Sequence, residues 1–561
     1  MSLKNFLVSN KKRTGILISI IILVIGVIPL IIFTYFADME HPYSITPISL
    51  TAEDGIQIDA NLYTPLTATG NIPGLILAHG YCGSKGNLQK IAIELVKRDF
   101  LIVNIDFRGH GTSGGLLPEG EDRYDKLQLD IMAALKYLQN TGRVNQIGLV
   151  GHSMGGATVT EFAKKNSNVI NATISIGMIP SYQNATSIKN LLIALGQYEQ
   201  LFSAEMATQF LKGYTGLSII SLNTQYGSFT DYNATKIIIG PFSEHLYERH
   251  DPVILYGIAE WFELAFFGGV RWEISITSVY HAMSYYISVF GAVCLSFVII
   301  LYARNYIFKE RQENLRKELI RNSSLIRLLV SYIIVGIIGF LSFILFSSIF
   351  TDVLPVSSGN SLFAFYSGMT VGTILIYYLL IFRKEGLKIK DAPLKIRELT
   401  SENYMRSLFL GIFAAILLII TISSVTHWSE TPFFPTAREI GTMIGLVIIF
   451  FPLLFIKEFY FRTVQSYLDH KNRFKEYFSM VGIGVFLDNI VLIPVMLLTW
   501  GSSSHAIGFI ALSLTVMFAM FLILQILVTW VYMYSGRNIM GSTIFLCIFY
   551  SWMIINFFPF A

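Results

Sequence analysis

Charged residues and cysteines are both scarce in this chain of 561 residues. Asp, Glu, Lys and Arg make up only 14% of the sequence, whereas hydrophobic residues make up 53%. A soluble domain carries about 25% charged residues, so this composition favours a membrane protein. The three cysteines, Cys82, Cys294 and Cys547, have neither the spacing of a zinc or haem site nor an evident disulfide pairing. The sequence therefore predicts no metal and no cofactor.

A basic surface of the kind that binds nucleic acid is also missing. Lys and Arg total 41 against 37 Asp and Glu, for a net charge of +4, and no basic cluster is interleaved with aromatic residues. We therefore expect membrane lipid, and no nucleic acid, as a partner.

Long apolar runs account for most of the chain outside residues 43–263. A membrane helix needs about 20 predominantly apolar residues. The sequence predicts about nine such spans: Thr14–Phe36, Ala282–Tyr302, Leu325–Phe350, Leu362–Phe382, Leu408–Val425, Ile440–Ile456, Phe478–Thr499, Ile507–Val531 and Thr543–Phe558.

The basic residues predict how these spans are oriented in a cell membrane. Lys and Arg precede the first span and recur in alternate loops, whereas loops 351–361 and 501–504 have none, which places the N-terminus in the cytoplasm. Arg438 is the one exception. The predicted order is a cytoplasmic segment (1–13), an anchor (14–36), an extracytoplasmic domain (45–267) and a membrane domain of about eight helices (282–561). An alternative for the first span is a cleaved signal peptide, but its apolar run exceeds the usual 7–15 residues and no small-x-small site follows.

Strand and helix patterns alternate between residues 45 and 267. Ile45–Leu50 and Ile56–Tyr63 predict a hairpin that turns at Glu53-Asp54-Gly55. The alternation that follows predicts a mostly parallel sheet flanked by helices. The further strands are Gly74–Ala78, Leu101–Ile105, Ile147–Val150, Ala172–Ile176, Asn190–Leu195 and Lys236–Ile239, and the helices are Leu88–Lys97, Leu127–Gln139, Ala157–Lys165, Ala204–Leu211 and Val253–Phe267.

A Gly-x-Ser-x-Gly motif lies between one of these strands and its helix. Gly151, Ser153 and Gly155 form the motif, and a sharp turn there would lift the serine hydroxyl clear of the sheet. The motif alone is weak evidence in a chain with 43 glycines, so its position after a strand carries the argument.

Three features in chain order resemble the α/β-hydrolase family, most closely its serine aminopeptidase (S33), acyl-peptidase and esterase-like members. His79-Gly80 follows one strand, the turn Asp106–Ser113 follows the next, and Ser153 stands at the family's nucleophile position. The resemblance covers roughly residues 45–265 and implies an α/β-hydrolase fold. Only about a dozen residues, Gly177–Lys189, lie where many relatives carry a cap, so we expect little or no lid.

A serine nucleophile needs a base and an acid, which follow it in this fold in the order acid, then histidine. Of the histidines His245, His250 and His281, the first follows an apolar strand and resembles the family's catalytic histidine. For the acid, Glu199 follows a strand and a glycine turn where the family commonly has Asp. Glu205 and Asp231 are the alternatives.

The resemblance also assigns the oxyanion hole to the backbone N–H groups of Tyr81 and Met154. The Tyr81 phenol either adds a donor or packs over Ser153. We expect structural roles for His79, His110 and His152, because histidines in such turns more often bond the backbone than transfer protons.

The membrane half carries one unusual cluster, Lys457-Glu458-Phe459-Tyr460-Phe461-Arg462. It faintly resembles the E-E-x-x-x-R signature of intramembrane CPBP-type proteases, but Lys457 replaces the first Glu and the F-x-x-x-H partner is missing. We therefore expect a structural pair between Glu458 and Arg462, which share a helix face. Asp488, His427 and His505 are the other polar residues in or beside the spans.

Two functions fit these features. The first is a membrane-anchored serine hydrolase that cleaves an ester, amide or peptide bond in a small-molecule, lipid or peptide substrate through an acyl-enzyme on Ser153. The second is a non-catalytic transport or sensing protein with a hydrolase-fold binding domain. Because acid, base and serine occur in order, the sequence favours the enzyme. Asn171, Asn184 and Asn233 begin glycosylation sequons on the outward domain.

Overall fold

The computed structural model describes most of the chain. The described residues are 11–35, 41–120, 122–181, 188–308, 325–346, 354–356, 359–379, 397, 403–426, 434–465, 468, 472–490 and 505–560.

An eight-stranded sheet forms the centre of the polar domain, with the strands in the order β1-β2-β4-β3-β5-β6-β7-β8. β1 and β2 form the predicted hairpin, β2 pairs antiparallel with β4, and all later pairs are parallel. The strands are Tyr43–Thr51, Gln57–Pro65, Ile72–Ala78, Leu101–Ile105, Val144–His152, Ile170–Ile176, Leu191–Gly196 and Thr235–Gly240.

Helices cover both faces of this sheet. β3, β4 and β7 are buried along their whole length, which explains why these strands are continuous apolar runs rather than alternating ones. The flanking helices, after α1 at Lys11–Tyr35, are α2 Gln89–Val96, α3 Arg123–Asn140, α4 Met154–Lys165, α5 Ala204–Thr215 and α6 Pro252–Phe267. The predicted mostly parallel sheet is confirmed, and this architecture is an α/β-hydrolase fold.

Eight further helices follow within the described residues: α7 Ser278–Ile307, α8 Leu325–Phe346, α9 Gly359–Tyr377, α10 Tyr404–Thr426, α11 Ala437–Gln465, α12 Arg473–Asn489, α13 His505–Tyr534 and α14 Ile539–Phe557. With α1 included, seven helices in the described part of the chain are long and apolar enough to cross a membrane. The predicted span Leu362–Phe382 corresponds to a shorter apolar stretch, Leu362–Ile376, and residues 491–499 of the span Phe478–Thr499 lie outside the described residues.

Buried ion pairs lie within and between these apolar helices. The predicted pair is confirmed: the Arg462 guanidinium donates to Glu458 Oε2 at 2.7 and 3.0 Å, with both side chains buried. A second pair was not predicted, because its members lie on different helices: Lys457 Nζ is 2.7 Å from Asp488 Oδ1. Gln525 Nε2 donates to Asp488 Oδ2 at 2.6 Å. His427 lies outside the described residues.

The end of the chain packs against the polar domain. The Phe560 N–H donates to Gly109 O at 2.8 Å, and Leu117 N–H donates to Phe560 O at 2.7 Å. The Arg438 guanidinium lies over the Phe560 ring, 4.0 Å from its centroid, and donates to Gly115 O at 3.1 Å. These contacts account for Arg438, the one basic residue that breaks the charge pattern of the loops.

Candidate active site

Ser153 stands on a sharp turn between β5 and α4. Its φ of 53° and ψ of −115° are rarely adopted by a residue with a side chain, and they turn the hydroxyl away from the sheet. Neighbouring glycines make this turn possible. A Cβ on Gly151 would overlap the Gly155 carbonyl, and a Cβ on Gly155 would overlap the Ala78 carbonyl. The motif therefore allows close approach of strand, turn and helix, as the sequence predicts.

The structure brings Ser153, His245 and Glu199 together. His245 Nε2 lies 2.9 Å from Ser153 Oγ, and His245 Nδ1 lies 2.9 and 3.0 Å from the two Glu199 carboxylate oxygens. With Nδ1 donating to Glu199, Nε2 is left to accept the serine proton. Glu199 follows β7 and His245 follows β8, so both side chains come from the edge at which the parallel strands end.

The alternative residues do not join this chain of hydrogen bonds. Glu205 is the second residue of α5 and accepts from Gln209, and Asp231 is exposed in the loop before β8. His250 lies in the 3₁₀ turn Glu248–His250, and His281 lies in the first turn of α7.

Glu199 is suited to hold a charge although it is buried. Burial raises the pKa of this carboxyl, but the charge and the hydrogen bond of His245 outweigh burial and leave the pKa below its ordinary value. Leu201 N–H also donates to Glu199 Oε1, at 2.7 Å. Glu199 is one methylene longer than the Asp common at this position, and both of its carboxylate oxygens still lie within hydrogen-bonding distance of His245 Nδ1.

A second buried carboxyl, Glu248, lies behind Glu199. Its Oε1 accepts from Gly196 N–H at 2.6 Å, and its side chain is within hydrogen-bonding reach of Glu199. Burial, followed by the Glu199 charge, raises the pKa of Glu248 well above its ordinary value. A neutral Glu248 can donate its proton to the Glu199 carboxylate. Sequence analysis missed Glu248, because it belongs to no motif.

Gly177 leaves the space that Glu248 occupies. Its φ is +60°, and a Cβ there would overlap Glu248 Oε2 and lie 3.0 Å from His245 Cε1. This glycine directly follows β6, so the sequence predicts its place at the end of a strand. The sequence does not predict that Glu248 lies opposite it.

Replacing Glu248 with glutamine should leave kcat within a few-fold of wild type at neutral pH, because an amide can both accept from Gly196 and donate to Glu199. Glu248→Ala should lower kcat about 10- to 100-fold, since losing support of a catalytic group costs on the order of 1–3 kcal/mol. As pH rises through the raised pKa, wild-type Glu248 gains a negative charge and loses its donor. The alkaline fall in kcat from this group should therefore be absent in Glu248→Gln. Equal kcat profiles for all three proteins would contradict this role.

The loop after β3 lies against the serine turn. A Cβ on Gly80 would come within 3.2 Å of Ser153 Cβ, so the Tyr81 backbone is held beside the nucleophile. Met154 is the first residue of α4, and its N–H has no partner within the helix. The Tyr81 ring meets His110 edge-on, 6.4 Å between centroids.

Histidines in the neighbouring turns bond the backbone, as expected. His79 Nδ1 contacts Gly80 O at 2.8 Å, and His79 Nε2 accepts from Phe107 N–H at 3.0 Å. Burial lowers the pKa of His110 to about 3, and burial also lowers the pKa of His152. Both rings are therefore neutral at physiological pH.

Ion pairs hold the Asp106–Ser113 turn. Lys85 Nζ pairs with Asp106, and Asp106 also accepts from Thr112 N–H at 3.0 Å. The Arg108 guanidinium bridges Asp54 and Asp130, at 2.5 and 2.6 Å.

His152, His245 and Glu248 bring ligand-type atoms within 4.8 Å of one another. His152 Nε2 lies 2.9 Å from the His245 carbonyl oxygen, which places its proton there, and both His245 nitrogens already serve Ser153 and Glu199. The cluster is a hydrogen-bonded network rather than a set of free metal ligands.

Residues 73–211 match the family model described as serine aminopeptidase, S33. The matched segment includes the turns that carry Tyr81, Ser153 and Glu199. The polar domain thus has an α/β-hydrolase fold, and its matched segment is similar to the S33 serine aminopeptidase family.

Several curated proteins resemble part of this domain. The sn-1-specific diacylglycerol lipase ABHD11 of Xenopus laevis is 34% identical over 111 residues, which cover 19% of this chain and 33% of the relative. The monoacylglycerol lipase of Mycolicibacterium smegmatis is 25% identical over 149 residues, 27% of this chain and 51% of the relative. The chain spans about a third of the length of the ABHD11 relatives that it matches. Among solved structures, the Pyrococcus furiosus esterase Pf2001 is 18% identical, covering 39% of this chain and 92% of its own, with a TM-score of 0.31.

Proposed function

We propose that this protein is a membrane-anchored serine hydrolase that cleaves an ester through an acyl-enzyme on Ser153. The observation that carries this proposal is the unbroken chain of hydrogen bonds from Ser153 Oγ through His245 to Glu199. Such an arrangement activates a hydroxyl that is otherwise a poor nucleophile. A binding-only domain has no need of it, so the enzyme is favoured over a transport or sensing role.

The reaction proceeds in two halves. Ser153 Oγ attacks the ester carbonyl carbon while His245 Nε2 takes the hydroxyl proton, and the Tyr81 and Met154 N–H groups hold the oxyanion. The tetrahedral intermediate expels the alkoxide, which receives the proton from His245. A water molecule then attacks the acyl-serine ester, again giving its proton to His245, and Ser153 leaves with that proton as the carboxylic acid is released. Glu199 orients the imidazole and stabilises its charged form throughout.

An ester is favoured over an amide or peptide because relatives of the matched segment are lipases. For the rest of the chain we propose the arrangement predicted from the basic loops: residues 14–36 as anchor, 45–267 as the extracytoplasmic domain, and 282–561 as the membrane domain.

Fluorophosphonate labelling of the full-length protein in detergent tests the function. The probe phosphonylates only an activated serine, with loss of fluoride, so it should label the folded protein and leave the heat-denatured protein unlabelled. Peptide mass analysis should find the label on Ser153, and p-nitrophenyl butyrate should be hydrolysed until labelling is complete. A folded protein that neither reacts with the probe nor hydrolyses the ester would refute the proposal.

A further inference from the structure

The segment after α6 runs back along helix α2. Arg98 donates to Glu273 O at 3.4 Å, Lys97 Nζ donates to Thr277 Oγ1 at 2.7 Å, and the Ser278 N–H donates to Glu94 Oε1 at 2.7 Å. α2 begins just after the loop at the carboxyl end of β3 and leads back to the start of β4. The chain between residues 273 and 278 therefore advances toward the edge of the sheet where the parallel strands end.

Helix α7 continues in this direction beyond the domain. His281 is buried near His250 and Lys90, at the start of α2 and at the carboxyl side of β8. α7 has 30 residues and a length of about 45 Å, whereas the eight residues of α2 span only about 12 Å. Most of α7 thus projects past the carboxyl edge, which is the edge that holds Ser153 and His245.

Three more apolar helices contact the domain. The segment after α14 pairs through Phe560 with the turn that follows β4, and the start of α11 contacts that turn through Arg438. In α13, the buried Leu512 belongs to a hydrophobic cluster of the domain. Of these helices, α7, α11 and α14 approach the side of the domain where the candidate site lies.

We propose that the candidate site opens toward the membrane surface and takes its substrate from the adjoining lipid leaflet, as an acyl ester at headgroup depth. This inference rests on the proposed function and adds the source of the substrate. An ester carbonyl at the boundary between headgroups and acyl chains lies at the level where α7, α11 and α14 meet the domain. Ser153 is half-buried at the same edge.

Exposed apolar side chains fit such a contact. Phe242, two residues after β8, is 77% exposed at the catalytic edge. Leu66 is a matched residue on the other side: it is 61% exposed and follows β2, next to the start of β4. Because Phe242 lies at the edge that holds Ser153 and Leu66 lies at the opposite edge, only Phe242 belongs to the lipid-facing surface in this arrangement.

The test uses the full-length protein in lipid nanodiscs. A fluorogenic long-chain diacylglycerol is placed either in the same discs or in separate protein-free vesicles at equal total concentration, with p-nitrophenyl butyrate as a soluble ester. We expect the lipid in the same discs to be hydrolysed at least 10-fold faster than the lipid in separate vesicles. Equal rates for both lipid pools, together with butyrate hydrolysis and labelled Ser153, would overturn the inference and leave the proposed function standing. Absence of lipid hydrolysis, butyrate hydrolysis and Ser153 labelling together would instead refute the proposed function itself.

Two variants sharpen the result. Phe242→Ser should lower the ratio of same-disc lipid hydrolysis to butyrate hydrolysis several-fold, because it removes an apolar contact with the leaflet. Leu66→Ser, at the opposite edge, should leave this ratio unchanged. A ratio that falls equally in both variants, or in neither, would contradict the proposed orientation of the domain.

Discussion

Replacing His245 with alanine is expected to lower kcat by about 10⁶-fold, because Ser153 then has no base to remove its proton. His245 Nε2 is the ring nitrogen within 2.9 Å of the hydroxyl. Butyrate hydrolysis at saturating substrate measures the loss, and fluorophosphonate labelling should disappear with it. Since the two residues act as a unit, adding Ser153→Ala should cause little further decrease.

The matched control for this variant is His250→Gln. His250 lies five residues further along the chain and makes no contact with Ser153 among the described hydrogen bonds, so kcat should stay within a few-fold of wild type. Size-exclusion profiles show whether each variant remains folded. A comparable loss of kcat in His250→Gln, or an active His245→Ala variant, would show that His245 is not the base.

The second large effect is expected for Glu199→Gln, with a fall in kcat of about 10⁴-fold at neutral pH. Glutamine fits the same space, but its amide can present a donor to His245 Nδ1 and thereby favour the wrong imidazole tautomer. It also removes the negative charge that stabilises the imidazolium. KM should change little, because Glu199 does not touch the substrate.

Two further substitutions separate charge from bulk at this position. Glu199→Asp keeps the charge but withdraws it by one methylene, so an intermediate kcat is expected. Glu205→Gln, on the exposed start of α5, should have wild-type activity. If Glu199→Gln retained full activity, Glu199 would not be the acid.

Much of the candidate site could be predicted, because each residue follows a strand in a recognisable order. Ser153 follows β5, Glu199 follows β7 and His245 follows β8, and parallel strands bring their carboxyl ends to one edge. The glycine turn before Glu199 favoured this residue, but it left Glu205 and Asp231 as alternatives. The local sequence therefore predicts those candidate residues that directly follow a strand.

Contacts made across long stretches of chain could not be predicted. Glu248 supports Glu199 from a 3₁₀ turn, and no periodicity marks a residue that points back under a neighbouring strand. Lys457 and Asp488 lie on α11 and α12, so their pairing depends on how two helices rotate against each other. Such contacts are decided by packing rather than by the local pattern.

The pairing of Phe560 with Gly109 and Leu117 also bears on the order of folding. These partners lie roughly 450 residues apart in sequence, so the contact carries a large loop-closure entropy and is expected to form late. The sheet can assemble from its own strands, whereas we expect the turn after β4 to reach its final form only once α14 has packed. A defect in the helical bundle should therefore disturb this turn at the catalytic edge even where the sheet has already formed.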